Sequence, residues 1–297
     1  MRLLVPGGAG MLAADVQRAA ERAGHEPVLL TRAQLDITER SSIERALASS
    51  RPDAIVNCAA WTDVDGAEGD VEGAFAVNAH GAGKLARAAA AAGVPLLHVS
   101  SDYVFDGAPA LARARVWGGG GGGGLRAYVE SDPTNPLSAY GASKLAGERE
   151  ALDASPTHVV VRSSWLFGVG GPNFLATMLS LAARQDVLSV VDDQVGCPTW
   201  TGHLAPALLG LLERGVTGLV HLAGSGWVSW NGLARELFRQ AELDRRVEEI
   251  ATAQMPRPAP RPAFSALESE RAEVLPMPPW QDGVAGYLAA RDGMMAR

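Results

Sequence analysis

Short apolar runs alternate with Ala-rich helical stretches along the first half of the chain. Leu3-Leu4-Val5, Val28–Leu30, Ala54–Asn57, Leu96–Ser100 and Val159–Val161 have the length and side chains of buried strands, and Ala-rich helices fall between most of them. Such alternation predicts an α/β fold with a parallel sheet covered on both faces, which places binding and catalytic groups beyond the carboxyl ends of the strands. Three of those ends carry candidates: Gly7–Gly10, then Ala59-Ala60-Trp61-Thr62, then Ser100-Ser101-Asp102-Tyr103. From about Ala151 the pattern loosens, with Pro, Gly and Trp punctuating the shorter stretches Asn173–Arg184, Leu188–Val191, Gly218–Leu222 and Trp230–Gln240. No internal repeat is evident.

The first strand runs into Gly7-Gly8-Ala9-Gly10-Met11-Leu12-Ala13 and then a helix. Glycine at 7 and 10 permits positive φ and close backbone approach, and the helix N-terminus offers unpaired N–H groups to a pyrophosphate. The spacing is Gly-x-x-Gly-x-x-Ala, which also suits a tight βα turn in any α/β protein; its strand-turn-helix setting favours a nucleotide site. The expected organisation is a dinucleotide-binding domain over 1–150, with 151–297 forming mainly a smaller α/β substrate-binding lobe interleaved with it.

Tyr140 and Lys144 stand four residues apart, so a helix would stack a phenol and an ammonium on one face. A phenol titrates near ~10, and a fixed cation must supply roughly 4 kcal/mol to make it a useful acid near neutrality. Lys144 is placed to supply part of that. By itself the pair favours the plainer reading of a packed aromatic beside a solvated charge, since Tyr-x-x-x-Lys is common on amphipathic helices.

The chain has 297 residues, 47% of them hydrophobic and 20% charged, with a net charge of -7, which suits one or two domains with a substantial core and disfavours a nucleic-acid partner. The apolar start is too short for a signal peptide or membrane span, so no membrane association and a cytoplasmic location are expected. Cys58 and Cys197 are too few for a disulfide framework, and no Cys/His cluster has metal-ligand spacing. Residues 255–262, Met-Pro-Arg-Pro-Ala-Pro-Arg-Pro, must be extended, as a linker or as a rigid strap carrying Arg257 and Arg261. The seven consecutive glycines Gly118–Gly124 cannot pack and are expected to form a mobile loop between Asp106 and Tyr140.

Ser101-Asp102-Tyr103-Val104-Phe105-Asp106-Gly107, taken with the Tyr140/Lys144 pair, resembles the extended short-chain dehydrogenase/reductases. Nearly the whole chain takes part, through Leu35–Thr38, Asn57–Glu68, Asn135-Pro136-Leu137 and Arg162–Trp165. Asp193–Thr199 and Arg257–Ser265 make it most similar to the branch of dTDP-4-dehydrorhamnose reductases rather than to the epimerases and dehydratases.

The resemblance implies a Rossmann-type doubly wound parallel sheet and NAD(P)H-dependent reduction of the C4 ketone of a nucleotide-sugar substrate, dTDP-4-dehydro-β-L-rhamnose, to dTDP-β-L-rhamnose. It implies Tyr140 as proton donor, Lys144 as the group that binds the nicotinamide ribose and lowers the phenol's pKa, and Ser101 as a hydrogen-bond donor to the same ketone oxygen. Asp102 and Tyr103 would line the sugar pocket, with Trp165 as an apolar wall. Cofactor contacts carried over by position are Gly7, Gly10, Met11 and Leu12 on the pyrophosphate turn, Asp36 and Ile37 near adenine, and Ala60, Trp61 and Thr62 along the nicotinamide half. Thr31 and Arg32 stand where an NAD-selective site would want an acidic residue for the ribose 2′-hydroxyl; Arg32 suits a 2′-phosphate, which favours NADPH over NADH.

The resemblance also implies a homodimer, in some members with Mg²⁺ between subunits, although no ligands for it can be placed. Pro6 and Ser101 stand where Thr is usual, and Ala13 replaces a third glycine, yet no catalytic group is lost. Two alternatives stay open: a reductase of another nucleotide-linked 4-keto-deoxysugar, and a non-catalytic NADP-binding regulatory subunit, against which the intact Ser101/Tyr140/Lys144 set speaks. An epimerase is a third, weaker fit.

Overall fold

The structure, a computed structural model, describes residues 1–108 and 126–295; the Gly118–Gly124 run lies outside them. The chain begins β1 (Arg2–Pro6), α1 (Met11–Arg22), β2 (Glu26–Leu30), α2 (Arg40–Ser50) and β3 (Ala54–Asn57). Two short helices, α3 (Gly66–Gly69) and α4 (Val71–Phe75), lead through a π-helical turn (Ala76–Gly81) into α5 (Ala82–Ala91), then β4 (Leu96–Ser101), α6 (Ala139–Ala154) and β5 (Val159–Ser163). Beyond these lie β6 (Leu166–Phe167), α7 (Phe174–Ala182), β7 (Val187–Val191), β8 (Val195–Gly196), β9 (Thr199–Trp200), α8 (Thr201–Glu213) and β10 (Gly218–His221). The chain closes with β11 (Val228–Ser229), α9 (Trp230–Gln240), β12 (Arg246–Ile250) and α10 (Trp280–Met295).

Six parallel strands form the central sheet in the order β10-β5-β4-β3-β1-β2. Its inner strands are apolar without alternation because helices cover both faces. On one face α1 and α8 enclose Leu3, Val5, Val16, Val56, Leu97, Leu204 and Leu208. On the other, α2, α5 and α6 pack over Leu4, Ile43, Ile55, Leu85, Leu96 and Val160. After β2 the chain returns to the opposite side of β1, so the winding reverses between β1 and β3 and leaves a crevice outside their carboxyl ends.

Two strands of this sheet, β5 and β10, come from beyond residue 150. Apart from α8, which covers that sheet, the elements there build a second core around Phe167, Leu175, Leu188, Leu233, Phe238, Trp280 and Tyr287, with β7 and β12 paired in parallel. Residues 255–262 form neither helix nor strand. Among the described residues no helix is long and apolar enough to cross a membrane.

Candidate active site

Helix α6 starts cleanly because the Ser138 hydroxyl accepts from the Gly141 amide at 3.1 Å. Its small residues then let it lie close against its neighbours. A methyl at Gly141 would collide with the Tyr103 carbonyl, and one at Gly147 with the Asn78 carbonyl. This close approach sets Tyr140, Lys144 and Glu148, one helical turn apart each, against the carboxyl end of β4.

Lys144 is 2% exposed and donates from Nζ to the Val99 carbonyl at 2.7 Å. Burial draws its pKa down to about 8, against the charge of Glu148 that raises it. The Tyr103 ring meets Tyr140 edge-on, with centroids 5.7 Å apart and planes at 86°. Burial pushes the Tyr140 phenol up to about 12; the Ser101 hydroxyl pulls the other way and Asp102 adds to the rise. The hydroxyl of Ser101, and not Lys144, is thus the neighbour that counters the rise.

Ser101 ends β4, accepts from the Tyr103 amide at 3.2 Å and donates to Asp102 Oδ1 at 3.2 Å. Asp102 is 2% exposed and is turned inward, accepting from Ser164 Oγ at 3.1 Å and Ser265 Oγ at 2.5 Å. Its carboxylate therefore pins three chain segments behind the site instead of lining a sugar pocket. Burial raises its pKa to about 6, opposed by hydrogen bonds from Ser265, Ser164 and Ser101.

Of the residues expected to meet a nucleotide, those after β1 and β3 meet at the crevice between these strands, and those after β2 lie beside β1. Gly7 has φ +77°, and a Cβ there would lie 2.7 Å from the Ala59 nitrogen, so the turns after β1 and β3 touch backbone to backbone. Gly10 caps α1 without a side-chain hydrogen bond, leaving first-turn N–H groups for a ligand. Leu12 and Ile37 are buried in the two cores, so only their backbones can face a cofactor. Met11 packs against Gly168 and Gly171. Asp36 is occupied by Thr38 at 2.9 and 2.7 Å and by Arg32 Nε at 3.3 Å, while Thr31 bonds Gln34.

Asn78, which sequence reasoning missed, clamps the third turn. Its Oδ1 accepts from the Trp61 amide at 2.8 Å, while Nδ2 donates to the Trp61 carbonyl at 3.1 Å and to Ser143 Oγ at 3.0 Å. The segment Ala60-Trp61-Thr62 is thereby tied to α6. An Asn inside an Ala-rich helix, where it is a poor helix former, was the available signal. A second missed feature is the buried pair of Glu148 with Arg162, bidentate at 2.9 and 2.7 Å, with Ser100 Oγ donating to Glu148 at 2.6 Å.

Trp165 is half-buried with φ +47°, a conformation costly for a bulky residue, and stacks on Trp230 with centroids 3.4 Å apart and planes 2° from parallel. Gly196 makes room for the indole, since a Cβ there would lie 2.5 Å from the ring. Among the described residues no group of three or more His, Cys, Asp or Glu side chains could hold a metal ion, so nothing there supports Mg²⁺.

The profile of the family described as "RmlD substrate binding domain" matches residues 1–292. The chain is 43% identical over 295 residues to a dTDP-4-dehydrorhamnose reductase of Mycobacterium tuberculosis, covering 97% of this chain and 93% of the relative. It is 39% identical over 269 residues to a dTDP-4-keto-6-deoxy-D-glucose reductase of Streptomyces niveus, covering 90% and 88%. The crystal structure of a dTDP-4-dehydrorhamnose reductase from Bacillus anthracis in complex with NADP superposes with a TM-score of 0.89 at 30% identity, covering 97% of this chain and 99% of that one.

Proposed function

The chain belongs to the dTDP-4-dehydrorhamnose reductase family, and from that membership we propose the reaction and the part each residue plays. The protein is an NAD(P)H-dependent oxidoreductase that reduces the C4 ketone of dTDP-4-dehydro-β-L-rhamnose to give dTDP-β-L-rhamnose. The observation that carries the residue assignments is the Tyr140–Lys144–Glu148 stripe set against the end of β4 beside Ser101.

The site fits a dinucleotide. Lys144 Nζ is buried with one carbonyl partner, which leaves donors for a ribose hydroxyl, and the glycine turn opens uncapped N–H groups onto the same crevice. Gly7, Gly10, Met11 and Leu12 would hold the pyrophosphate, and Ala60, Trp61 and Thr62 the nicotinamide half. When bound, the reduced nicotinamide supplies hydride. Tyr140, with its phenol held well above neutrality, stays protonated and gives its proton to the ketone oxygen as negative charge develops there. Ser101 turns its hydroxyl from Asp102, where the bond is long, to the same oxygen and polarises it. Tyr103 and the Trp165/Trp230 stack enclose the sugar.

Loss of NADPH absorbance on mixing the protein with freshly generated dTDP-4-dehydrorhamnose tests this reading, and no oxidation despite cofactor binding would refute it. A panel including dTDP-4-keto-6-deoxy-D-glucose tests the second reading, favoured by the Streptomyces niveus relative.

Arg32, with an 80% exposed side chain, is assigned to the 2′-phosphate and makes NADPH the preferred coenzyme. Arg32→Ala should raise KM for NADPH several-fold, by about 1 kcal/mol as expected of an exposed charge-assisted contact, and leave KM for NADH unchanged. Equal changes for both coenzymes would sink the assignment.

The pH profile separates Lys144 from Tyr140. The ammonium is present below about 8 and lost above it, while the phenol keeps its proton to about 12. With NADPH saturating, kcat/KM for the sugar should therefore fall on the alkaline side with an apparent pKa near 8, and Lys144→Met should be slow and lack that limb. A limb appearing only above ~10, where an unperturbed phenol titrates, would assign it to Tyr140 instead.

A further inference from the structure

The Pro-rich segment 255–262 carries two cations to the edge of the candidate site. Asp65, just before α3, accepts from the Ala259 amide at 3.1 Å through Oδ1, and its Oδ2 meets Nη2 of both Arg257 and Arg261 at 2.9 Å. The two arginines are not equivalent. Arg261 has an 11% exposed side chain and also donates from Nη1 to the Ala259 carbonyl at 2.6 Å, so it anchors the segment. Arg257 is 56% exposed, and its ion pair is with the carboxylate oxygen that Arg261 already uses. Two guanidiniums on one carboxylate leave a surplus positive charge in a chain whose net charge is -7.

The segment then runs over the residues that follow Ser101. Ala263 and Ser265 pair with Val195 at 2.8 Å each, and Ser265 bonds Asp102. Beneath them Gly107 has φ +73°, and a Cβ there would lie 2.6 Å from the Ala263 nitrogen. Both guanidiniums are near enough to Tyr103 to favour its ionised form, although burial raises that phenol overall. The surplus charge thus sits beside the tyrosine that packs on Tyr140.

We infer that Arg257 binds the diphosphate of the nucleotide sugar, with Asp65 holding the guanidinium in waiting and Arg261 fixing the strap. The inference rests on the nucleotide-sugar reading given above. A diphosphate carries the charge and the paired oxygens that a guanidinium fork matches, and a proline-rich backbone presents the fork with little freedom to lose. The cofactor also has a diphosphate, so the test must tell the two apart.

Calorimetry on the NADP⁺-loaded protein, with dTDP and thymidine as probes, does so when joined to steady-state kinetics. Arg257→Ala should weaken dTDP at least tenfold and leave thymidine unchanged, as for a lost charge-assisted pair. KM for the sugar nucleotide should rise by the same factor, with kcat within about twofold and KM for NADPH unaltered. Arg257→Lys, a point charge without the fork, should fall between. The inference is overturned if dTDP affinity is unchanged, if thymidine weakens equally, or if KM for NADPH rises in place of that for the sugar. Wild type that holds dTDP through Arg257 yet reduces no keto-sugar would keep the diphosphate site and remove the sugar reading.

Discussion

Tyr140→Phe should lower kcat for keto-sugar reduction by roughly a thousandfold, the middle of the range for loss of a general acid, or about 4 kcal/mol of transition-state stabilisation. The change removes one oxygen and keeps the ring, so the edge-on packing on Tyr103 and the close seat of α6 over Gly141 and Gly147 should survive. NADPH should bind as in wild type, because Lys144 keeps its bond to the Val99 carbonyl. Fluorescence titration of the coenzyme beside stopped-flow oxidation would separate these effects. If the variant retained more than a tenth of wild-type kcat, the proton would have to come from elsewhere, and Ser101, the other hydroxyl at the end of β4, would be next to test.

What could be read in the sequence was whatever rests on local pattern. The runs Leu3–Val5 and Leu96–Ser100 announced β1 and β4 because both faces of a parallel strand are buried and leave a continuous apolar string. The glycine turn and the i,i+4 pair were legible for the same reason: each acts within one turn of chain. What stayed hidden depends on partners far along the sequence. Asn78 matters through Trp61 and Ser143, and Asp102 through Ser164 and Ser265, 62 and 163 residues away. Polar side chains of this kind show no periodicity, so nothing in the string distinguished a buried clamp from a pocket residue. Asp102 is the instance: the family resemblance implied a sugar contact, whereas its side chain is buried and bonded to Ser164 and Ser265.

Glu148 shows how such a clamp governs the site from behind. Glu148 and Arg162 have side chains 3% and 4% exposed; Arg162 also lies 5.1 Å from the Phe105 ring centroid and 3.4 Å from His221 Nε2. Glu148→Gln would leave the guanidinium buried without its counter-charge, which costs about 3–5 kcal/mol, or a fall of roughly 10 °C in Tm for a chain of this size. Replacing both partners at once by Glu148→Leu and Arg162→Met should cost clearly less than either single change, since no lone charge is then buried. The same cycle reaches the chemistry. Glu148 is the group that most raises the pKa of Lys144 against burial, so its loss should move the alkaline limb of kcat/KM below 8, in Glu148→Gln and in the double variant alike. Differential scanning calorimetry gives the first comparison and the pH profile the second. A double variant as unstable as the single ones would mean that the pair is held by packing, and an unmoved limb would detach Glu148 from the lysine it follows by one turn of α6.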